Sequence, residues 1–468
     1  MFRQSLLWAS CLALLAAPVS GARAQGKAET RPAPSAAPKF GAGIEARTLK
    51  NGMKVIVWPD HDIPNAVLHN WFRVGSRNEY PGITGLSHFF EHMMFNGAKK
   101  YGAGEFDRVM EANGGANNAY TSEDVTVYME WFPRSALELI FDLEADRLQH
   151  LSFDPKVIES ERGVVYSERR SAIDNNNAGA LMELVQATAF VAHPYQFPVI
   201  GWPSDIESWK LEDLQRYFKT YYAPNNGTLI VTGAVTPAEV FALAEKYLAP
   251  IPSQPAPEPV RTQEPEQLGE RRLVVKKLAQ SPLIQLAYHG VAAKDADAEA
   301  LDLLLRILAE GDSSRLHRRL VEEERAVISV QSHFSPGFDP SLVWLIADLP
   351  PGGDLSKVEA LITEELARVS KEGVTEAELR KARNIALASH WRRLETNDGR
   401  GRALGDAEVF RGDYRQLFEA PARFERVTRE AVRKVAARVF NPQHRTVGWL
   451  VPGEAQASTP EPRKESKP

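Results

Sequence analysis

Residues 66–94 read AVLHNWFRVGSRNEYPGITGLSHFFEHMM, and the hydrophobic spacing changes partway through. Residues 66–74 are β-prone and read as a strand, whereas from Gly85 the apolar side chains Leu86, Phe89, Phe90, Met93 and Met94 recur at helical spacing. A strand that hands over to an amphipathic helix indicates an α+β fold. Upstream, Asn51-Gly52 lies between two β-rich runs in residues 45–57 and signals a tight hairpin. Downstream, residues 105–112 predict a helix ended by Asn113-Gly114-Gly115, and residues 118–131 return to a strand pattern in which Val125, Val127 and Met129 alternate. Helices over 134–151 and 155–173 follow, and a last βα portion ends near Pro250.

Residues 251–270 are rich in proline and poor in large apolar side chains, so they read as an extended linker. Beyond it, residues 271–452 are a faint copy of residues 41–250. Residues 282–291 repeat the strand pattern, ALDLLLRILAEG (300–311) lies on LSHFFEHMMFNG (86–97), and ARNIALAS (382–389) lies on ERGVVYSE (161–168). The expected architecture is α+β with two homologous lobes, each a mostly antiparallel sheet covered by helices, and a charged tail over 453–468.

The chain has 468 residues, 43% hydrophobic and 25% charged, enough to bury sizeable cores. Its formal net charge of −5 provides no electrostatic footprint for nucleic acid. Met1-Phe2-Arg3, an apolar run over residues 6–19 and Ala22-Arg23-Ala24 make up the three parts of a secretory signal, with cleavage expected after Ala24 and a flexible leader over 25–40. The apolar run is shorter than the ~20 residues a membrane span needs. Cys11, the only cysteine, lies inside that run, so the exported chain carries no thiol. The expected location is periplasmic or extracellular, with no membrane attachment once the signal is removed.

His88-Phe89-Phe90-Glu91-His92 carries the chemistry. On a helix, His88 and His92 lie one turn apart on one face and can present two imidazole nitrogens to a single zinc ion, with Glu91 beside them to take a proton from water. This is the inverted order of the commoner zinc-helix motif and is a signature of zinc peptidases. A catalytic zinc keeps three protein ligands, so a third must come from elsewhere. The helix bearing Glu159, Glu161 and Glu168 is the best source. Glu161 and Glu168, two turns apart, share a face, so one could bind the ion while the other supports a ligand or the water.

Taken with Val74-Gly75-Ser76-Arg77, Asn118-Ala119-Tyr120-Thr121 and Glu161-Arg162 ahead of Glu168, this segment resembles the pitrilysin family of zinc peptidases, which includes mitochondrial processing peptidase, and the length resembles its short bacterial members. The resemblance implies one zinc ion per chain held by His88, His92 and Glu168, with Glu91 as general base, Glu161 as supporting carboxylate and Glu159 as the fallback ligand. It also implies that a peptide substrate adds to an edge strand at Asn118, Ala119 and Tyr120.

The second lobe departs from the metal pattern, because Asp302, Leu305, Arg306 and Ser389 stand opposite His88, Glu91, His92 and Glu168. The family's second lobe supplies an arginine and a tyrosine that stabilise the oxyanion, but the matching positions here are Val321 and Ile328. The expectation is therefore a heterodimer in which a homologous subunit without the metal motif supplies that pair. The alternatives are a homodimeric peptidase, a local shift bringing in Arg315, Arg318 or Arg319, and a non-catalytic assembly subunit.

Overall fold

The computed structural model describes residues 41–453. The expected signal segment, leader and all but the first residue of the expected tail lie outside the described residues. The first lobe contains β1 (Glu45–Thr48), β2 (Lys54–Pro59), β3 (Asn65–Phe72), α1 (Leu86–Met93), α2 (Glu105–Ala112), β4 (Ala116–Thr121), β5 (Thr126–Pro133), α3 (Leu137–His150), α4 (Pro155–Arg169), α5 (Asn177–Ala189), α6 (Leu211–Tyr221) and β6 (Gly227–Gly233). After an irregular stretch come β7 (Arg271–Leu278), β8 (Leu283–His289), α7 (Ala298–Ala309), β9 (Ser329–Phe334), β10 (Leu342–Asp348), α8 (Leu355–Glu372), α9 (Glu376–Arg393), α10 (Asn397–Arg411), α11 (Gln416–Arg426), α12 (Arg429–Val439) and β11 (Arg445–Gly453). The strand pattern expected over 118–131 is a hairpin, β4 and β5, because Ser122 turns the chain: its backbone N–H donates to the Val125 carbonyl at 2.8 Å.

The duplication is visible in the sheet order. The first sheet runs β1-β2-β6-β3-β5-β4 and the second β7-β11-β8-β10-β9. Setting β1 aside, each strand has a counterpart in the same place, and the one parallel pair, β2 with β6, is matched by β7 with β11. All other neighbours are antiparallel. By the same order α1 corresponds to α7, α4 to α9 and α5 to α10.

One face of each sheet packs on its own lobe's helices, and the other face is covered by a helix from the opposite lobe. Leu181 and Val185 of α5 are fully buried with Ala287 and Trp344 of the second sheet, and Leu404 and Ala407 of α10 are buried with Trp71 and Ile230 of the first. A fully buried side chain of this size contributes about 1.5–3 kcal/mol, so the exchange ties the lobes together by several such increments. Gly405 permits the close approach of α10, since a Cβ there would lie 2.1 Å from Trp71 Cε2. No helix among the described residues is long and apolar enough to cross a membrane.

Candidate metal centre

The helix bearing the two histidines is short and held at its start. Gly85, at φ +89°, caps α1 in the left-handed region, and a Cβ there would come within 2.7 Å of the Ile200 carbonyl oxygen. The amides at its N-terminus find a side-chain partner: Gly85 N–H donates to Glu79 Oε2 at 2.7 Å and Ser87 N–H to Glu79 Oε1 at 2.8 Å. Burial pushes the Glu79 carboxyl up to about 8 even though these bonds pull the other way. Phe89 and Phe90 are fully buried in the first lobe's core. That side of α1 is therefore fixed, and His88, Glu91 and His92 emerge on the other.

The helix α4 faces α1 across this site. Asp154 caps it by accepting from Lys156 N–H at 2.8 Å, with Pro155 at its first position. Arg162 anchors it by donating to the carbonyls of Ile206 at 3.1 Å, Glu207 at 2.7 Å and Trp209 at 3.1 Å. Glu161 and Glu168 point towards α1. Glu159 does not: its side chain is 77% exposed and pairs with Arg162 at 3.5 Å, because it lies two residues from Glu161 and so on a different face of the helix. The fallback ligand is therefore excluded by geometry.

Three ligand atoms converge. His88 Nε2 and His92 Nε2 are 3.3 Å apart, and Glu168 Oε2 lies 3.4 Å from the first and 3.3 Å from the second. A tetrahedral ion with bonds of about 2.0–2.1 Å requires ligand atoms about 3.3–3.4 Å apart, so the triangle fits zinc. These three residues also form the one such group of metal-capable side chains among the described residues. Behind His92, Glu161 Oε1 lies 2.8 Å from Nδ1, an arrangement that leaves Nε2 facing the triangle. Burial and the neighbouring His92 push the His88 imidazole down to about 4, so it is a neutral donor. Burial opposes charge on His92 as well, but Glu161 and Glu168 outweigh it and raise its pKa to about 9. Glu168 is held below the usual carboxylate range by its hydrogen bond to His92.

Glu91 sits beside the triangle. Thr121 Oγ1, from the end of β4, donates to Glu91 Oε2 at 2.7 Å. Burial raises the Glu91 pKa, and the Thr121 hydrogen bond works against that rise. A carboxylate so placed is a stronger base than one in water and remains aimed by a neutral donor.

Strand β4 is the outer strand of the first sheet, paired only with β5 among the described residues. Ala119 and Thr121 face the helices. Tyr120 faces the opposite side, its ring 6.2 Å edge-on from Trp71 and 5.3 Å under the Arg402 guanidinium. Of Tyr120, the side chain thus belongs to the packing between lobes. Asn118 Oδ1 accepts from the Ala119 N–H at 2.9 Å, so the edge carries a side-chain acceptor of its own.

In the second lobe, Val321 packs against that lobe's core and Ile328 is 62% exposed. Arg315 is committed to Glu378 at 2.7 Å and Glu365 at 3.2 Å, and Arg319 pairs with Glu364. Both are thus engaged in ion pairs, whereas Arg318, the third candidate, is exposed.

Two residues escaped the sequence reading. Thr121 lies in the quoted Asn118-Ala119-Tyr120-Thr121 run, and strand alternation from Ala119 would have placed it on the helix-facing side. Glu79 caps α1 from outside the short-range pattern by which caps are recognised, and no local signal marks it.

Comparison with known proteins gives matches in both lobes. The family model described as insulinase, peptidase family M16, matches residues 55–201, and the one described as peptidase M16 inactive domain matches residues 208–386. The chain is 32% identical over 413 residues to the zinc protease PqqE of Helicobacter pylori, covering 87% of this chain and 93% of that one. The crystal structure of a protease from Helicobacter pylori superposes with a TM-score of 0.84 at 31% identity, over 87% of this chain and 99% of the other. The periplasmic protease PqqL from Escherichia coli shares the fold at a TM-score of 0.74 and 19% identity, with 88% of this chain matching 48% of that longer one.

Proposed function

The chain belongs to the insulinase family, the M16 peptidases, and from that premise we propose that it is an exported zinc endopeptidase subunit that hydrolyses short or unfolded peptides. The observation that carries this reading is the triangle of His88, His92 and Glu168 with Glu91 beside it.

His88, His92 and Glu168 would hold the zinc ion, and Glu161 fixes the ring of His92 so that Nε2 stays turned to it. Bound there, zinc supplies Lewis acidity, lowering the pKa of water toward ~7 and polarising the scissile carbonyl. Glu91 accepts the proton of the attacking water and passes it to the departing amine, with Thr121 keeping the carboxylate aimed. The free edge of β4 at Asn118, Ala119 and Tyr120 offers backbone groups to an extended substrate, a mode that reads main chain more than side chains.

The oxyanion pair is supplied in this reading by a homologous subunit lacking the metal motif. Val321 and Ile328 occupy the positions where the resemblance calls for arginine and tyrosine, and losing one such donor costs about 10²–10³ in rate. Export to the periplasm or beyond follows from the signal-like sequence of residues 1–24. The test is turnover of a quenched peptide by the purified zinc-loaded chain alone and with a co-expressed homologous subunit. A rise of about 10²-fold or more with the partner supports the heterodimer, and full activity of the chain alone removes it.

A further inference from the structure

The second lobe has a cavity at the residues that the sequence repeat aligns with the first lobe's metal triangle. Asp302 and Arg306 of α7 and Ser389 of α9, which the sequence repeat aligns with His88, His92 and Glu168, all line a single cavity of about 440 Å³. This is within the 300–1,000 Å³ of ordinary small-ligand sites. Part of its wall is aromatic and apolar, from Phe334, Phe410 and Phe424.

The polar wall carries four arginines, Arg306, Arg393, Arg411 and Arg423. Arg306 is matched by Asp302 at 3.2 Å and Glu310 at 2.6 Å, and so is fully paired. The other three guanidiniums lining the cavity share two carboxylates. Arg411 and Arg423 share a single oxygen, Glu299 Oε1, at 2.9 and 2.6 Å, and Arg393 reaches Asp406 Oδ2 at 3.3 Å. The side chains of Arg393 and Asp406 are both about half-exposed. His390 also lines the cavity, and its buried Nε2 has no hydrogen-bond partner among the described residues. Among the lining residues four arginines thus stand against three carboxylates, Glu299, Asp302 and Asp406, beside an apolar wall, and a guanidinium pairs best with a planar carboxylate.

The cavity also adjoins the proposed substrate edge. It is lined by Asp406 of α10, and the same helix lays Arg402 over the ring of Tyr120 in β4. In the next residue, Thr121, the strand reaches Glu91.

We propose that this cavity is a second binding site that takes a peptide carboxylate next to an apolar side chain and so selects acidic or carboxyl-terminal segments as substrates. The role in substrate selection rests on the peptidase reading above; the binding itself does not. The ligand carboxylate occupies the arginine-rich side near Arg393, and the apolar side chain lies on the phenylalanines.

The test is calorimetric titration of the zinc-loaded chain with N-acetyl-phenylalanine, its amide, and N-acetyl-aspartyl-phenylalaninamide, repeated after zinc is removed by chelation. The expected result is at least tenfold tighter binding of one or both acids than of the neutral amide, unchanged by zinc removal. Arg393→Gln, whose side chain is 59% exposed, and Ser389→Trp, which fills the cavity, should each abolish that preference while leaving zinc content unchanged. Tighter binding of the first acid identifies the chain terminus as the source of the carboxylate, and of the third probe an acidic side chain. Equal binding of all three probes, loss of binding with the zinc, or a preference that survives both variants would overturn the proposal. A zinc-loaded chain that cleaves no peptide, even with a partner, but retains this preference would remove the peptidase reading and leave the site standing.

Discussion

Replacing Glu161 with alanine should weaken zinc binding by an amount that depends on pH. Its carboxylate is 2.8 Å from His92 Nδ1, on the side of the ring away from the ligand triangle. Deleting such a partner costs about 10–100-fold in metal affinity, equivalent to about 1.4–2.7 kcal/mol. A second effect opposes it. Glu161 also helps hold a proton on His92, whose pKa is raised to about 9, so at pH 7 the wild-type imidazole must shed that proton before it can bind metal. Removing Glu161 eases that loss of the proton. The deficit of Glu161→Ala is therefore larger near pH 9, where about half of the wild-type imidazoles have already shed the proton, and shrinks towards pH 7. Competition with a chromophoric chelator at both pH values measures it. Glu159→Ala is the matched control, since that side chain is 77% exposed and faces away from the site. Equal affinity of wild type and Glu161→Ala at pH 9, or an equal deficit in Glu159→Ala, would refute the assigned role.

Thr121→Val removes the hydroxyl that donates to Glu91 and opposes the rise of its pKa; because the base works only when ionised, the acid limb of kcat/KM should move to higher pH, and an unmoved limb would contradict the contact. Glu79 has a folded pKa raised to about 8 from an ordinary 4.5, so its contribution to stability is fully present below about 4.5 and is lost as pH rises through about 8. Glu79→Gln should flatten urea-unfolding stability over that window, by an amount of the order of a few kcal/mol, while a slope identical to wild type would mean the carboxyl is not protonated in the fold. Gly405→Ala places a methyl 2.1 Å from Trp71 Cε2 and should destabilise the chain by about 1–3 kcal/mol, read as a lower thermal midpoint; an unchanged midpoint would show that α10 can shift at little cost.

The site was legible where chemistry repeats at short range. His88, Glu91 and His92 declare themselves by helical spacing alone, and Glu161 and Glu168 by sharing a face two turns apart. The pattern left open which carboxylate completes the triangle and could not discard Glu159, because that depends on how α4 is rotated against α1, which is set by the Arg162 anchor to residues 206–209. The two-lobe repeat was legible from matching hydrophobic runs and reappears as matching strand order. The exchange of α5 and α10 between lobes was not, since a helix whose apolar face will meet a distant sheet reads like one that meets its neighbour. Tyr120 illustrates the same limit: strand alternation gives its face, but only the arrival of Arg402 from the other lobe shows what that face is for.

The central claim is that His88, His92 and Glu168 hold one zinc ion and Glu91 moves the proton. It is tested most directly by comparing wild type with Glu91→Gln in metal content and peptide turnover, with the partner subunit present. The account predicts one zinc per chain in both proteins and hydrolysis by the wild type alone. Substantial hydrolysis by Glu91→Gln, or a wild type that takes up no zinc, would contradict it.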